Sequence, residues 1–166
     1  MRSPVLLVSS LTPHPPLTFP QTHIHNPTNQ AFRKKWHIIC EGEALPPPIK
    51  SFRDMKFPEP IMKALEKKGI QRPTPIQVQG LPVLLSGRDM VGIAFTGSGK
   101  TMCFGLPLVM LALVEEHKMP LVGGEGPLGI ILCPSRELAT QTFENLDYFC
   151  QALGRSGYPQ PRGALR

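Results

Sequence analysis

No run of about 18 apolar residues occurs in this 166-residue chain, so no helix in it is long and apolar enough to cross a membrane. Aromatic residues are few, at 7%, and cysteine is sparse: Cys40, Cys103, Cys133 and Cys150 lie far apart, with no CxxC pair and no His/Cys cluster. That spacing argues against a zinc site and a disulfide framework, and reads as reduced thiols in a cytosolic or nuclear protein. Charge is nearly absent at the start, where residues 1–30 carry Arg2 alone. Proline, by contrast, is abundant, at 20 residues or about twice ordinary usage. A hydrophobic share of 41% excludes a chain that is a charged tail throughout and is consistent with one globular domain.

The net charge is +6 and unevenly placed. Residues 31–80 hold ten Lys/Arg against five Asp/Glu, and residues 81–166 hold seven of each. The basic excess therefore belongs to the middle of the chain. It favours anionic partners mildly, and its plain reading is a solvated surface.

Residues 1–30, with six prolines, three histidines and no acidic residue, read as a disordered Pro-rich leader, because proline removes backbone donors and fixes φ. A targeting segment is the weaker reading, since the apolar run Val5–Val8 is too short for a secretory h-region; a non-native leader is the other. Residues 31–50 form a basic, Pro-rich flank, with Pro46-Pro47-Pro48 as a stiff spacer. Phe57-Pro58-Glu59-Pro60 opens a helix on which Ile61, Met62 and Leu65 recur, with Gly69 as its stop. Pro73-Thr74-Pro75 starts a second helix through Ile76, Gln77, Gly80 and Leu84. Residues 90–94 read as a buried strand, followed by a Gly-rich loop and an apolar helix to about His117. Residues 128–133 read as a second buried strand ended by Pro134, and a helix runs from about Arg136 to Leu153. Residues 51–154 thus make an α/β unit, with a parallel sheet covered on both faces, and residues 155–166 a disordered tail.

The chemistry concentrates in Ala94-Phe95-Thr96-Gly97-Ser98-Gly99-Lys100-Thr101. A phosphate chain needs several backbone N–H groups converging on it, small residues that let the backbone approach, and a helix N-terminus behind them. Lys100 is placed to reach β- and γ-phosphates, and the Thr101 hydroxyl to ligate Mg²⁺. The usual G-x-x-x-x-G-K-[ST] pattern is met except that Ala94 stands at its first glycine. Upstream, Gln77 offers an amide with the acceptor and donors that adenine requires, and Phe52, 17 residues before Gly69, offers a ring that could stack on a base. Taken singly, Gln77 reads rather as an ordinary polar helix residue; joined to the loop that follows, it reads as the base-selecting amide.

Phe52, residues 69–77 (Gly-Ile-Gln-Arg-Pro-Thr-Pro-Ile-Gln), residues 94–101 and Pro134-Ser135-Arg136-Glu137-Leu138-Ala139 resemble, in order and spacing, the Q motif, motif I and motif Ia of DEAD-box RNA helicases. The stretches 36–39 and 46–52, with Gly92-Ile93-Ala94-Phe95 and Cys133-Pro134-Ser135, are similar to the Abstrakt-type subgroup. The resemblance covers roughly residues 31–154 and implies the first part of a RecA-like domain. It implies that Phe52 and Gln77 select adenine and that residues 94–101 bind ATP, with Lys100 and Thr101 catalytic and Thr101 also on Mg²⁺. It implies further that Pro134, Ser135 and Arg136 touch the RNA backbone without reading sequence. Seen without the family, Arg136-Glu137 is as well a capped helix start. The resemblance also implies a nuclear setting (cytoplasm being the alternative), spliceosomal partners and no membrane.

Neither an Asp-Glu-Ala-Asp nor a Ser-Ala-Thr segment occurs in the 166 residues, and no second domain with an arginine finger is present. The expected function is ATP-dependent RNA remodelling, carried here by a truncated ATP-binding portion that by itself is inactive and weakly folded. The alternative is a non-catalytic module that binds nucleotide or RNA without turnover.

Overall fold

The computed structural model describes residues 5–8, 27–118 and 127–159, and the chain divides into two compact units. The first comprises residues 1–56 and 72–104, the second residues 57–71 and 105–166.

In the first unit, helix α1 (Pro27–Lys35) opens the flank. Helix α3 (Pro75–Leu85) forms its core, burying every residue from Gln77 to Leu85. A proline inside a helix leaves the carbonyl four residues back without its donor. Here Pro82 leaves that of Val78, and the Ile49 N–H supplies the bond at 2.9 Å. The Pro-rich flank is thereby tied to α3. Arg33, only 8% exposed, strengthens the tie: its Nε donates to Gln79 Oε1 at 2.8 Å and its Nη2 to the Pro46 carbonyl, which also accepts from Gln79 Nε2. Arg88 donates to the carbonyls of Glu43 and Ala44. The basic, Pro-rich flank is thus a bonded part of this unit.

Strand β2 (Met90–Ile93) follows, and its neighbour is not the one the sequence suggests. Strand β1 (Val5–Val8) pairs with it antiparallel, Val5 opposite Ile93 and Val8 opposite Met90. The expectation of a disordered leader over residues 1–30 is thus corrected at residues 5–8, by β1, and at residues 27–30, by the start of α1; residues 1–4 and 9–26 lie outside the described residues. The expected parallel sheet is corrected as well: the described sheet has two strands, and they run antiparallel. The physical reason is that a strand edge is a row of unpaired donors and acceptors, which an apolar tetrapeptide such as Val-Leu-Leu-Val, with its two β-branched valines, can satisfy from either direction.

In the second unit, helix α2 (Glu59–Lys67) lays Ile61, Ala64 and Leu65 against helix α5 (Arg136–Arg155), which buries Leu146, Phe149, Cys150 and Leu153. Both sets follow the i, i+3, i+4 period of one helix face. The Tyr148 hydroxyl donates to the Ala64 carbonyl at 3.3 Å. Lys68 Nζ donates to Asn145 Oδ1 and lies 4.5 Å from the Tyr148 ring centroid. Helix α4 (Lys100–Lys118) contributes its first turn to the first unit and the rest to the second, where Leu106, Val109, Ala112 and Leu113 are buried. Gly105 allows a close approach, since a Cβ there would drive into the Leu146 side chain.

Residues 128–133 are not a strand. Their apolar composition supplies the propensity, but strand identity requires a paired neighbour, and Leu132 is instead 90% exposed. The tail expected from residue 155 also starts later: the Tyr158 N–H returns to the Leu153 carbonyl at 3.2 Å and its ring meets His117 edge-on. Residues 160–166 lie outside the described residues.

Candidate functional site

Residues 94–99 link β2 to α4, so the Gly-rich loop lies where its chemistry requires: after a strand and before a helix N-terminus. Gly97 (φ 77°) and Gly99 (φ 86°) adopt the left-handed backbone that favours glycine. A Cβ on Gly99 would also collide with Gln77 Nε2, whereas around Gly97 there is open space. These two conformations curl the loop onto the helix start.

The loop is held from α3. The Thr74 hydroxyl donates to the Ser98 carbonyl at 2.7 Å, and Gln77 Nε2 donates to the Gly99 carbonyl at 3.0 Å. Gln77 Oε1 accepts from the Thr74 N–H at 3.1 Å, closing the first turn of α3. One amide thus joins the start of α3 to the phosphate loop. That use of Gln77 was not legible as a contact in the sequence, although its spacing to the loop singled the residue out. An amide carries two N–H groups and two acceptor lone pairs, so one of each remains after these bonds. They match the N7 and N6 edge of adenine in kind, but Gln77 is 2% exposed, so a base reaches them only when that edge is uncovered.

Lys100 Nζ donates to the carbonyls of Ala94 and Phe95, folding back over its own loop, and burial pushes its ammonium below the usual lysine range. Engaging a phosphate therefore means exchanging two carbonyl partners for phosphate oxygens. The Ser98 hydroxyl oxygen is buried and has no hydrogen-bond partner. Such a group is costly to leave unpaired, and an anion at the loop would satisfy it. With the glycine curl and the α4 N-terminus, it is the structural observation that fits a phosphate group to these residues. Thr101 follows Lys100 in the first turn of α4, while Thr96 and Phe95 face outward, the latter 82% exposed.

Phe52 belongs to the same unit but presents no open face: it is 2% exposed. Stacking on a base would need that ring uncovered. Among the described residues no group of three or more His, Cys, Asp or Glu could hold a metal ion.

Pro134, Ser135 and Arg136 belong to the second unit, at the exposed start of α5. The Ser135 hydroxyl accepts from the Leu138 N–H at 3.3 Å, an N-cap. Glu137 shares this start; its own N–H and then the Ser135 hydroxyl hold its carboxyl below the usual range. The capped-helix reading of Arg136-Glu137 is therefore realised, and a carboxylate already stands at the dipole end where a phosphate would bind.

The comparisons with known proteins agree with this geometry. The family model for the DEAD/DEAH box helicase matches residues 74–159. DEAD-box ATP-dependent RNA helicase 35 of Arabidopsis thaliana is 57% identical over 149 residues, covering 88% of this chain and 25% of that protein. ATP-dependent RNA helicase abstrakt of Drosophila melanogaster is 54% identical over 136 residues, covering 82% of this chain and 22% of that protein. The chain thus spans about a quarter of the length of the curated relatives it matches. Among solved structures, the RNA helicase Prp28 from Chaetomium thermophilum bound to ADP superposes with a TM-score of 0.68 at 30% identity, covering 82% of this chain and 33% of that one. The fold is therefore part of a RecA-like helicase domain, despite the antiparallel pairing at β2. A curled, α3-clamped phosphate loop and a family match over more than half of the residues lead to one conclusion: the chain belongs to the DEAD/DEAH box helicase family.

Proposed function

We propose that the protein is an ATP-dependent RNA helicase or RNA-remodelling ATPase, whose nucleotide-binding part these residues supply. The observation that carries this reading is the loop after β2, clamped by Thr74 and Gln77 and holding the buried, unpartnered Ser98 hydroxyl. A structural relative was solved with ADP, which supports the nucleotide class. Residues 97–101 would hold the phosphates through backbone N–H groups and Lys100, while Gln77, with Phe52 once uncovered, would read adenine. Mg²⁺ would rest on the Thr101 hydroxyl and the nucleotide's own phosphate oxygens, as this ion commonly does. Bound Mg-ATP would supply the phosphoryl group whose hydrolysis drives the change in RNA. Pro134, Ser135 and Arg136 would contact RNA phosphates, with Arg136 outweighing the nearby Glu137. A nuclear, splicing-related setting rests on the Abstrakt-type resemblance alone.

The test uses the full-length protein. Gln77→Ala weakens ATP binding by about tenfold, the scale of one good hydrogen bond, and GTP binding by less. Equal losses for both nucleotides would sink the adenine-reading role. Lys100→Ala abolishes RNA-stimulated phosphate release, because the loop loses its one cation for the β- and γ-phosphates. Retained turnover would mean that the loop does not hold the reacting phosphates.

A further inference from the structure

The basic excess of the middle of the chain is not absorbed by the nucleotide site. Between residues 27 and 40 stand Arg33, Lys34 and Lys35, with no acidic residue. The three cations share the last turn of α1 but have different fates. Arg33 turns inward to Gln79 and Pro46, while Lys34 and Lys35 are exposed. Beside them, Phe32 and the sole tryptophan, Trp36, pair with centroids 5.1 Å apart and planes tilted by 32°. Both rings are half-buried. The exposed Lys50, from beyond the proline spacer, places its Nζ 4.5 Å from the Phe32 centroid. Three cations and an aromatic pair are thus brought together from two segments of the flank. The flank itself is tied to α3 through Arg33, Gln79, Pro46 and the Ile49–Val78 bond.

We propose that the end of α1, with Lys34, Lys35, Lys50 and Trp36, is a binding platform for single-stranded RNA, additional to the start of α5. The inference rests on the reading of the protein as an RNA binder. Cations flanking an aromatic surface are what a single strand needs: the ammonium groups neutralise phosphates, and a ring offers a stacking face that every base can use. Completing the helix dipole is the competing role for Lys34 and Lys35, but it explains neither Lys50 arriving from 15 residues downstream of Lys35 nor the aromatic pair between them. Because Arg33 and Ile49 fix the flank, little ordering is needed when a strand docks, which favours a specific site over a loose polycationic tail.

The experiment uses the full-length protein and a 4-thiouridine-containing oligouridylate, cross-linked by light and digested with trypsin. Cleavage after Lys35 and Lys50 isolates residues 36–50 as one peptide, and cleavage after Lys118 and Arg136 isolates residues 119–136. The platform predicts adducts in the 36–50 peptide. Adducts in the 119–136 peptide alone would overturn it and leave the RNA reading standing; adducts in neither would overturn both. Anisotropy titrations provide the second measurement. Lys34→Ala/Lys35→Ala weakens binding roughly tenfold and lowers the slope of log K against log salt by about 1.4, as expected for two phosphates of a single strand. Trp36→Ala weakens binding severalfold, and Trp36→Phe, which keeps a stacking ring, restores most of it. Unchanged affinity and slope in the lysine variant, with its melting temperature preserved, would assign the surface to solvent or an acidic protein and refute the platform.

Discussion

Single side chains carry the link between sequence pattern and site. Gln77 is needed twice, by the Thr74 N–H and by the Gly99 carbonyl. Gln77→Ala therefore costs about 1 kcal/mol or more of stability in urea unfolding, quite apart from nucleotide, because both half-buried partners lose their bond. A variant as stable as the parent would show that the clamp is not energetically used. Cys103 is the other informative residue: burial pushes its thiol up to about 12, and its Sγ faces the Ile76 carbonyl at 3.4 Å. In Cys150, burial and then the Asp147 charge push the thiol up to about 11. Neither reacts with a disulfide reagent at pH 8 until the chain unfolds, and rapid modification of Cys103 in the folded protein would contradict its burial. The unfolded thiol ionises near 9, so below that pH both states keep the proton and Cys103 adds no pH dependence. From about 9 toward 12 the unfolded state alone releases it, and stability falls as pH rises.

At the scale of elements, helices were legible and strand pairing was not. The patterns at Ile61–Leu65 and at Leu146–Leu153 read directly as helix faces, because the 3.6 period is a property of one segment. The second strand expected at residues 128–133 failed because pairing depends on what lies alongside, which four or six apolar residues do not specify. The Pro82 carbonyl vacancy at Val78 was legible in principle, but nothing local says that Ile49 fills it. Ile49→Pro removes that N–H and lowers stability by about 1–3 kcal/mol in urea unfolding; no change would mean that the Arg33, Gln79 and Arg88 bonds hold the flank without it. In the second unit, Phe149→Ala costs about 3–5 kcal/mol, the ordinary loss for a buried phenylalanine, and a small effect would show that α2 and α5 repack.

For the whole molecule, activity and binding separate. The 166 residues hold a phosphate loop, and no Asp-Glu-Ala-Asp segment occurs among them. Taken alone, they are expected to release no phosphate from ATP with or without RNA, in contrast to the RNA-stimulated release proposed for the full-length protein; RNA-dependent release by the 166 residues would overturn that expectation. A two-stranded sheet whose Val91 and Ile93 are exposed also predicts a broad thermal transition by circular dichroism, sharpened by Mg-ATP through binding to the folded state.

What the sequence determined by itself was the chemistry that depends on residue order: a phosphate loop in strand–loop–helix context, a glutamine and an aromatic at fixed distances upstream, and the helix faces. Order along one segment is enough for these, because backbone curl at Gly97 and Gly99 and the period of a helix are local properties. What only the tertiary structure decided was every relation between distant segments. It turned Gln77 toward the loop, buried the Phe52 ring, tied the proline-rich flank to Val78 and gave β2 an antiparallel partner from the leader. These outcomes depend on which donors, acceptors and apolar faces remain unsatisfied once the chain has collapsed, and no single window of sequence contains that information.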